Sequence, residues 1–94
     1  MAPPIVNSSI VCAVKHQVSC DLGGEAVILN LQNGVYYGLS EVGARIWSLI
    51  EEPCSLEEVL RSLLKEYDID SETCEGQTRA LLGDLAANGL IEIR

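Results

Sequence analysis

The chain has one histidine, six lysines and arginines, and no pair of cysteines at C-x-x-C spacing, and each scarcity removes a class of function. His16 has no acid beside it in sequence, so no nucleophile–base–acid arrangement is apparent and the residue reads as a surface histidine. Gly23-Gly24 and Asn33-Gly34 lack the spacing of a phosphate-binding loop and are better read as turns. Glu51-Glu52 and Glu57-Glu58 read as exposed helix faces, not as a tuned acid and base. Cys12, Cys20, Cys54 and Cys74 are scattered, and His16 does not complete a ligand set with them. The expectation is a protein that is not an enzyme and needs neither metal nor cofactor.

Two further absences bear on location. No run approaches the roughly 18 to 20 apolar residues of a membrane span, and MAPPIVNSSIV carries no positive charge ahead of its apolar residues, unlike a secretory signal. The cysteines then fit reduced, buried thiols of a cytoplasmic protein, with a secreted scaffold of two disulfides as the alternative.

What is present is a single domain of 94 residues, 48% hydrophobic, with 14 acidic side chains and a formal charge of −8. Between Glu51 and Glu75 nine carboxylates face only Arg61 and Lys65. That field repels a phosphate backbone and favours a neutral or basic partner, unless it is simply a solvated helical face.

Met1 to Ser9, with two prolines, an asparagine and two serines, reads as a loose leader, and Ile10 to Val14 as a further short strand or arm. The chain then alternates from Gln17 to Leu22, turns at Gly23-Gly24 and resumes from Glu25 to Leu31, which is a hairpin. Parity assigns Val27, Leu29 and Leu31 to the core face. A turn at Gln32-Asn33-Gly34 leads to a third strand, Val35 to Leu39, where parity points Val35, Tyr37 and Leu39 inward and Tyr36 outward.

Ser40 is placed to cap a helix running to about Ile50, with Val42, Ile46, Leu49 and Ile50 as its apolar stripe and Trp47 beside it. Pro53 stops it. Ser55-Leu56-Glu57-Glu58 is a capping box that opens the next helix, along which Leu56, Val59, Leu60, Leu63 and Leu64 keep helical spacing. A third helix starts near Asp70 or Ser71, aligns Cys74, Thr78, Leu81 and Leu85, and ends at Asn88-Gly89. The tail Leu90 to Ile93 alternates and reads as a short strand or packed wing. The order is three strands, three helices and an extended tail.

Three segments in this order, ILNLQNGVYYGLSEVGARIW, SLEEVLRSLLKEYDID and LLGDLAANGL, resemble the PqqD-like family, the recognition elements for precursor peptides of ribosomal natural-product pathways. The resemblance runs from about Gln17 to Ile93, leaving residues 1–16 as a partly extended N-terminal extension and residues 17–94 as the domain. The wording NGVYYGLSEVGARIW is most similar to the free-standing leader-binding protein of lasso-peptide biosynthesis. The resemblance implies an α+β winged helix-turn-helix, a three-stranded antiparallel sheet followed by three helices. It further implies that a precursor's leader segment adds to the third strand, in a groove against the third helix, and is handed to a leader peptidase and a macrolactam cyclase. Related lasso systems dock a tyrosine and a proline of the leader in apolar pockets.

Carried onto this sequence, the pairing strand is Val35, Tyr36, Tyr37, Gly38 and Leu39. The facing helix contributes Thr78, Arg79, Leu82, Leu85 and Ala86. Pattern alone leaves Leu82 either on the groove or in a widened core stripe, and Tyr36 either a ligand contact or merely exposed. Two rival classes stand beside peptide capture. DNA binding by the helix-turn-helix is opposed by a recognition helix carrying Arg79 against Glu72, Glu75 and Asp84. A dimer formed by edge-strand pairing is the stronger competitor.

Overall fold

The computed structural model describes residues 5–94, in which six strands and three helices follow one another as β1 (Ile10–Ala13), β2 (Gln17–Asp21), β3 (Ala26–Asn30), β4 (Tyr36–Leu39), α1 (Glu41–Leu49), β5 (Cys54–Ser55), α2 (Leu56–Glu66), α3 (Ser71–Ala87) and β6 (Ile91–Ile93). The antiparallel meander β2-β3-β4, then three helices, is the α+β order expected. A second antiparallel sheet, β5-β1-β6, has β1 at its centre, pairing with β6 near the other end of the chain on one side and with β5 on the other. Of the loose leader expected at Met1–Ser9, residues 1–4 lie outside the described residues. Residues 5–9 have no regular structure, but Ser9 closes a turn by accepting from the Val6 N–H at 3.0 Å.

Ile10–Ala13 belongs to the domain and not to an appendage, because β1 is the central strand of its sheet and Val11 is fully buried in the common core. The break at residue 17 is therefore not a break in packing. The same N-terminal stretch also serves α2, whose first N–H groups, Leu56 and Glu57, donate to the carbonyls of Ser9 and Asn7 at 3.0 and 3.1 Å.

Local chemistry sets the other elements. Gly23 and Gly24 have φ of 73° and 98°, which gives the β2–β3 hairpin its turn, and Asp21 Oδ1 accepts from both N–H groups. Ser55 caps α2 as expected, accepting from Glu58 N–H at 3.1 Å. Asp70 caps α3 by accepting from Thr73 N–H at 2.9 Å, and hydrogen bonding to Thr73 holds its carboxyl below the usual range. Ser40 occupies the N-cap position of α1, yet its side chain makes no capping bond. α3 ends at Asn88, with Gly89 at φ 70°.

The expected parity of β3 is reversed. Ala26, Ile28 and Asn30 face the core, while Val27 and Leu29 are half-buried on the outer face and Leu31 is exposed. Asn30 is the cause: its Nδ2 donates to Asn88 O at 3.0 Å and its Oδ1 accepts from Gln32 N–H at 2.9 Å, so a polar side chain is satisfied inside. On β4, Tyr37 is half-buried and Leu39 buried as expected, but Val35 is exposed. The cysteines are free; only Cys74 is buried, Cys12 and Cys54 are half-buried and Cys20 is exposed. No described helix is long and apolar enough to cross a membrane.

Candidate functional site

β4 closes the meander on one side and pairs only with β3 among the described residues. Asn30 N–H donates to Val35 O at 3.0 Å. By the alternation of an antiparallel ladder, Val35, Tyr37 and Leu39 then turn their backbone groups to β3, and Tyr36 and Gly38 turn theirs outward. Of the five residues assigned to a pairing strand, those two hold the free donors and acceptors.

Beneath that edge lies a cleft of about 370 Å³, within the size range of ligand pockets. Tyr37 and Leu39 of β4 form one wall, and Cys74, Gln77, Thr78 and Leu81 of α3 face them. Val42, Gly43 and Ile46 of α1 supply the floor, and Leu63, Tyr67 and Ile69 close the end beside α2. Gly43 matters because a Cβ there would stand 3.3 Å from Leu39 Cδ2 and 3.5 Å from Leu81 Cδ2. The missing side chain lets α1 approach both walls.

Tyr37 spans the gap from sheet to helix, its hydroxyl donating to Asp84 Oδ2 at 3.4 Å. Burial first, and then the Asp84 carboxylate beside it, raise the phenol above its ordinary pKa. Asp84 makes no ion pair among the described residues. Apolar walls with one acidic rim suit an extended peptide bearing bulky apolar side chains.

The structure brings Tyr37, Gly38, Leu39 and Thr78 together and sets Val35 and Tyr36 along the open edge. It does not bring the other helix residues to the cleft. Leu82 and Leu85 are fully buried core residues and Ala86 packs against the same core, so none of them forms a wall. Arg79 faces the N-terminal segment, where it donates to Ile5 O and the Asn7 side chain, and it also bonds Glu75 one turn back on α3. The face of α3 that lines the cleft is thus Cys74, Gln77, Thr78 and Leu81, with Leu81 half-buried and turned about 100° from Leu82. Sequence reasoning also missed Val42, Gly43, Tyr67 and Ile69. A usable signal existed in Tyr67 and Ile69, two apolar residues stranded in the polar connection between α2 and α3.

An antiparallel meander whose β4 edge is unpaired among the described residues, laid beside an apolar cleft against a helix, defines an α+β domain with an open groove along its sheet. The family model described as coenzyme PQQ synthesis protein D (PqqD) matches residues 25–91, and the chain belongs to that family. It is also similar to a solved structure, TbiB1 in complex with the TbiA(beta) leader peptide. The two are 41% identical with a TM-score of 0.80, over 86% of this chain and 94% of that one. No curated protein matches the chain.

Proposed function

We propose that the protein binds the leader segment of a ribosomally made precursor peptide as a fourth strand on β4. It then presents that leader to a leader peptidase and a macrolactam cyclase of lasso-peptide biosynthesis. It acts as a binding subunit and does no chemistry of its own. The observation that carries this reading is the pairing of outward backbone groups at Tyr36 and Gly38 with the apolar cleft behind them. The leader peptide held by the similar TbiB1 supports the same class of ligand.

In this arrangement Tyr36 and Gly38 supply ladder bonds that depend little on ligand sequence, and the cleft selects bulky side chains. Leader residues opposite Tyr37 and Leu39 point to the same side of the sheet as those two, toward the cleft. Each buried anchor contributes about 1.5 to 3 kcal/mol, enough for two of them to offset much of the ordering cost of a free peptide. The negative field of the protein speeds the approach of a leader with basic residues.

Isothermal titration with a synthetic leader from the precursor encoded beside the gene tests the proposal. Leu81→Asp should weaken binding by about 10- to 100-fold, and Gly38→Pro should do so by deleting an outward N–H while leaving β3–β4 intact. Wild-type affinity in both variants, with native circular dichroism, would refute strand addition at β4.

A further inference from the structure

Among the described residues the meander has a second unpaired edge. β2 lies opposite β4 in the sheet and is the one strand of that sheet without a buried side chain. Its backbone orientation follows from two bonds at its ends, Leu31 N–H to His16 O at 2.9 Å and Leu22 N–H to Glu25 O at 2.7 Å. Val18 and Cys20, in step with these, turn their backbone groups to Leu29 and Val27 of β3. Gln17, Ser19 and Asp21 therefore point theirs away from the molecule.

We propose that β2 is a self-association edge, pairing antiparallel with β2 of a second copy about a two-fold axis at Ser19. The strand is self-complementary in that register. Ser19 faces Ser19 of the second copy, Gln17 faces its Asp21, and every outward N–H and C=O finds a partner, six hydrogen bonds in all by ladder geometry. No like charges oppose each other. Registers centred on Val18 or Cys20 leave an end residue unpaired, and one centred on Asp21 sets two carboxylates face to face. Val18, which is 55% exposed, meets Cys20 of the second copy as a non-hydrogen-bonded pair, where side chains lie closest.

The result is a six-stranded sheet with β4 at both outer edges, so two leader sites remain free. Self-pairing and leader capture then use opposite sides of one sheet and do not compete. A ladder this short makes a small interface, and two copies of charge −8 repel, so the dimer is weak and tightens with salt.

Sedimentation velocity on the full chain, from about 1 to about 500 µM, should show the mass rising from 10.2 kDa toward twice that value, more steeply in high salt. Ser19→Pro should hold it monomeric, since the lost N–H points away from β3. Gly38→Pro should weaken leader binding and leave association unchanged, which separates failure at this edge from failure at β4. Val18→Cys, oxidised gently beside the native Cys20, should give a disulfide-linked dimer on a non-reducing gel. A chain that stays monomeric throughout, an association that Ser19→Pro leaves intact or Gly38→Pro abolishes, or no cross-link above wild type would each overturn the proposal.

Discussion

The Tyr37 hydroxyl and the Asp84 carboxylate meet at 3.4 Å, the side-chain hydrogen bond that joins β4 to α3 across the mouth of the cleft. Burial and then the Asp84 charge raise the phenol's pKa in the folded protein. The contribution of this shift to stability is thus full below the pKa of an unfolded tyrosine and is lost as pH rises through the folded value. Spectrophotometric titration should show that Tyr37→Phe removes the most alkaline part of the tyrosinate signal and that Asp84→Asn moves it down. In urea melts, the wild type should lose stability relative to Tyr37→Phe across that alkaline window.

Gly43 sets the depth of the cleft. Gly43→Ala puts a methyl 3.3 and 3.5 Å from the ends of Leu39 and Leu81, which can yield, and 3.4 Å from Leu39 Cβ, close to ordinary contact, so the melting temperature should change little. Gly43→Val should keep the fold with some loss and cut leader affinity about tenfold or more, as part of one anchor's burial is forfeited. Titration calorimetry beside thermal melts separates the two effects.

Asn30 ties the sheet to the end of α3 through Asn88 O and Gly89 O. Asn30→Ala removes the bonds to Asn88 O, on a half-buried residue, and to Gln32 N–H, and should cost about 1 to 2 kcal/mol. Asn30→Leu, closer in volume, should fare no better, because it loses the same two bonds to Asn88 O and Gln32 N–H. Equilibrium urea unfolding measures both.

Two serines at helix starts give a paired test. Ser55→Ala removes the bond to Glu58 N–H and should lower stability by about 1 kcal/mol, whereas Ser40→Ala should change it by about 0.5 kcal/mol or less, since Ser40 makes no capping bond.

The contrast between those serines marks how far sequence reaches. Elements written by local chemistry were legible: the glycine turn at Gly23-Gly24, the box at Ser55, the stop at Asn88-Gly89. The second sheet was not, because Ile10–Ala13 meets Cys54, Ser55 and Ile91–Ile93 only after the chain has closed, and no local pattern announces those partners. The parity of β3 turned on the same kind of distant contact, an asparagine satisfied by the far end of α3. The meander and its free β4 edge could be read from turns and alternation. Which α3 residues face that edge could not, since Leu81 and Leu82 both fit an apolar stripe and only the packing of α1 against Leu39 decides between them.

The most direct measurement is residue-resolved amide hydrogen exchange, followed by NMR, with and without the leader peptide. Strand addition at β4 predicts that the Tyr36 and Gly38 amides become strongly protected on leader binding, while Tyr37 and Leu39, already bonded to β3, change far less. Protection that skips Tyr36 and Gly38 and appears instead at Gln17, Ser19 and Asp21 would place the leader on the opposite edge and contradict the account.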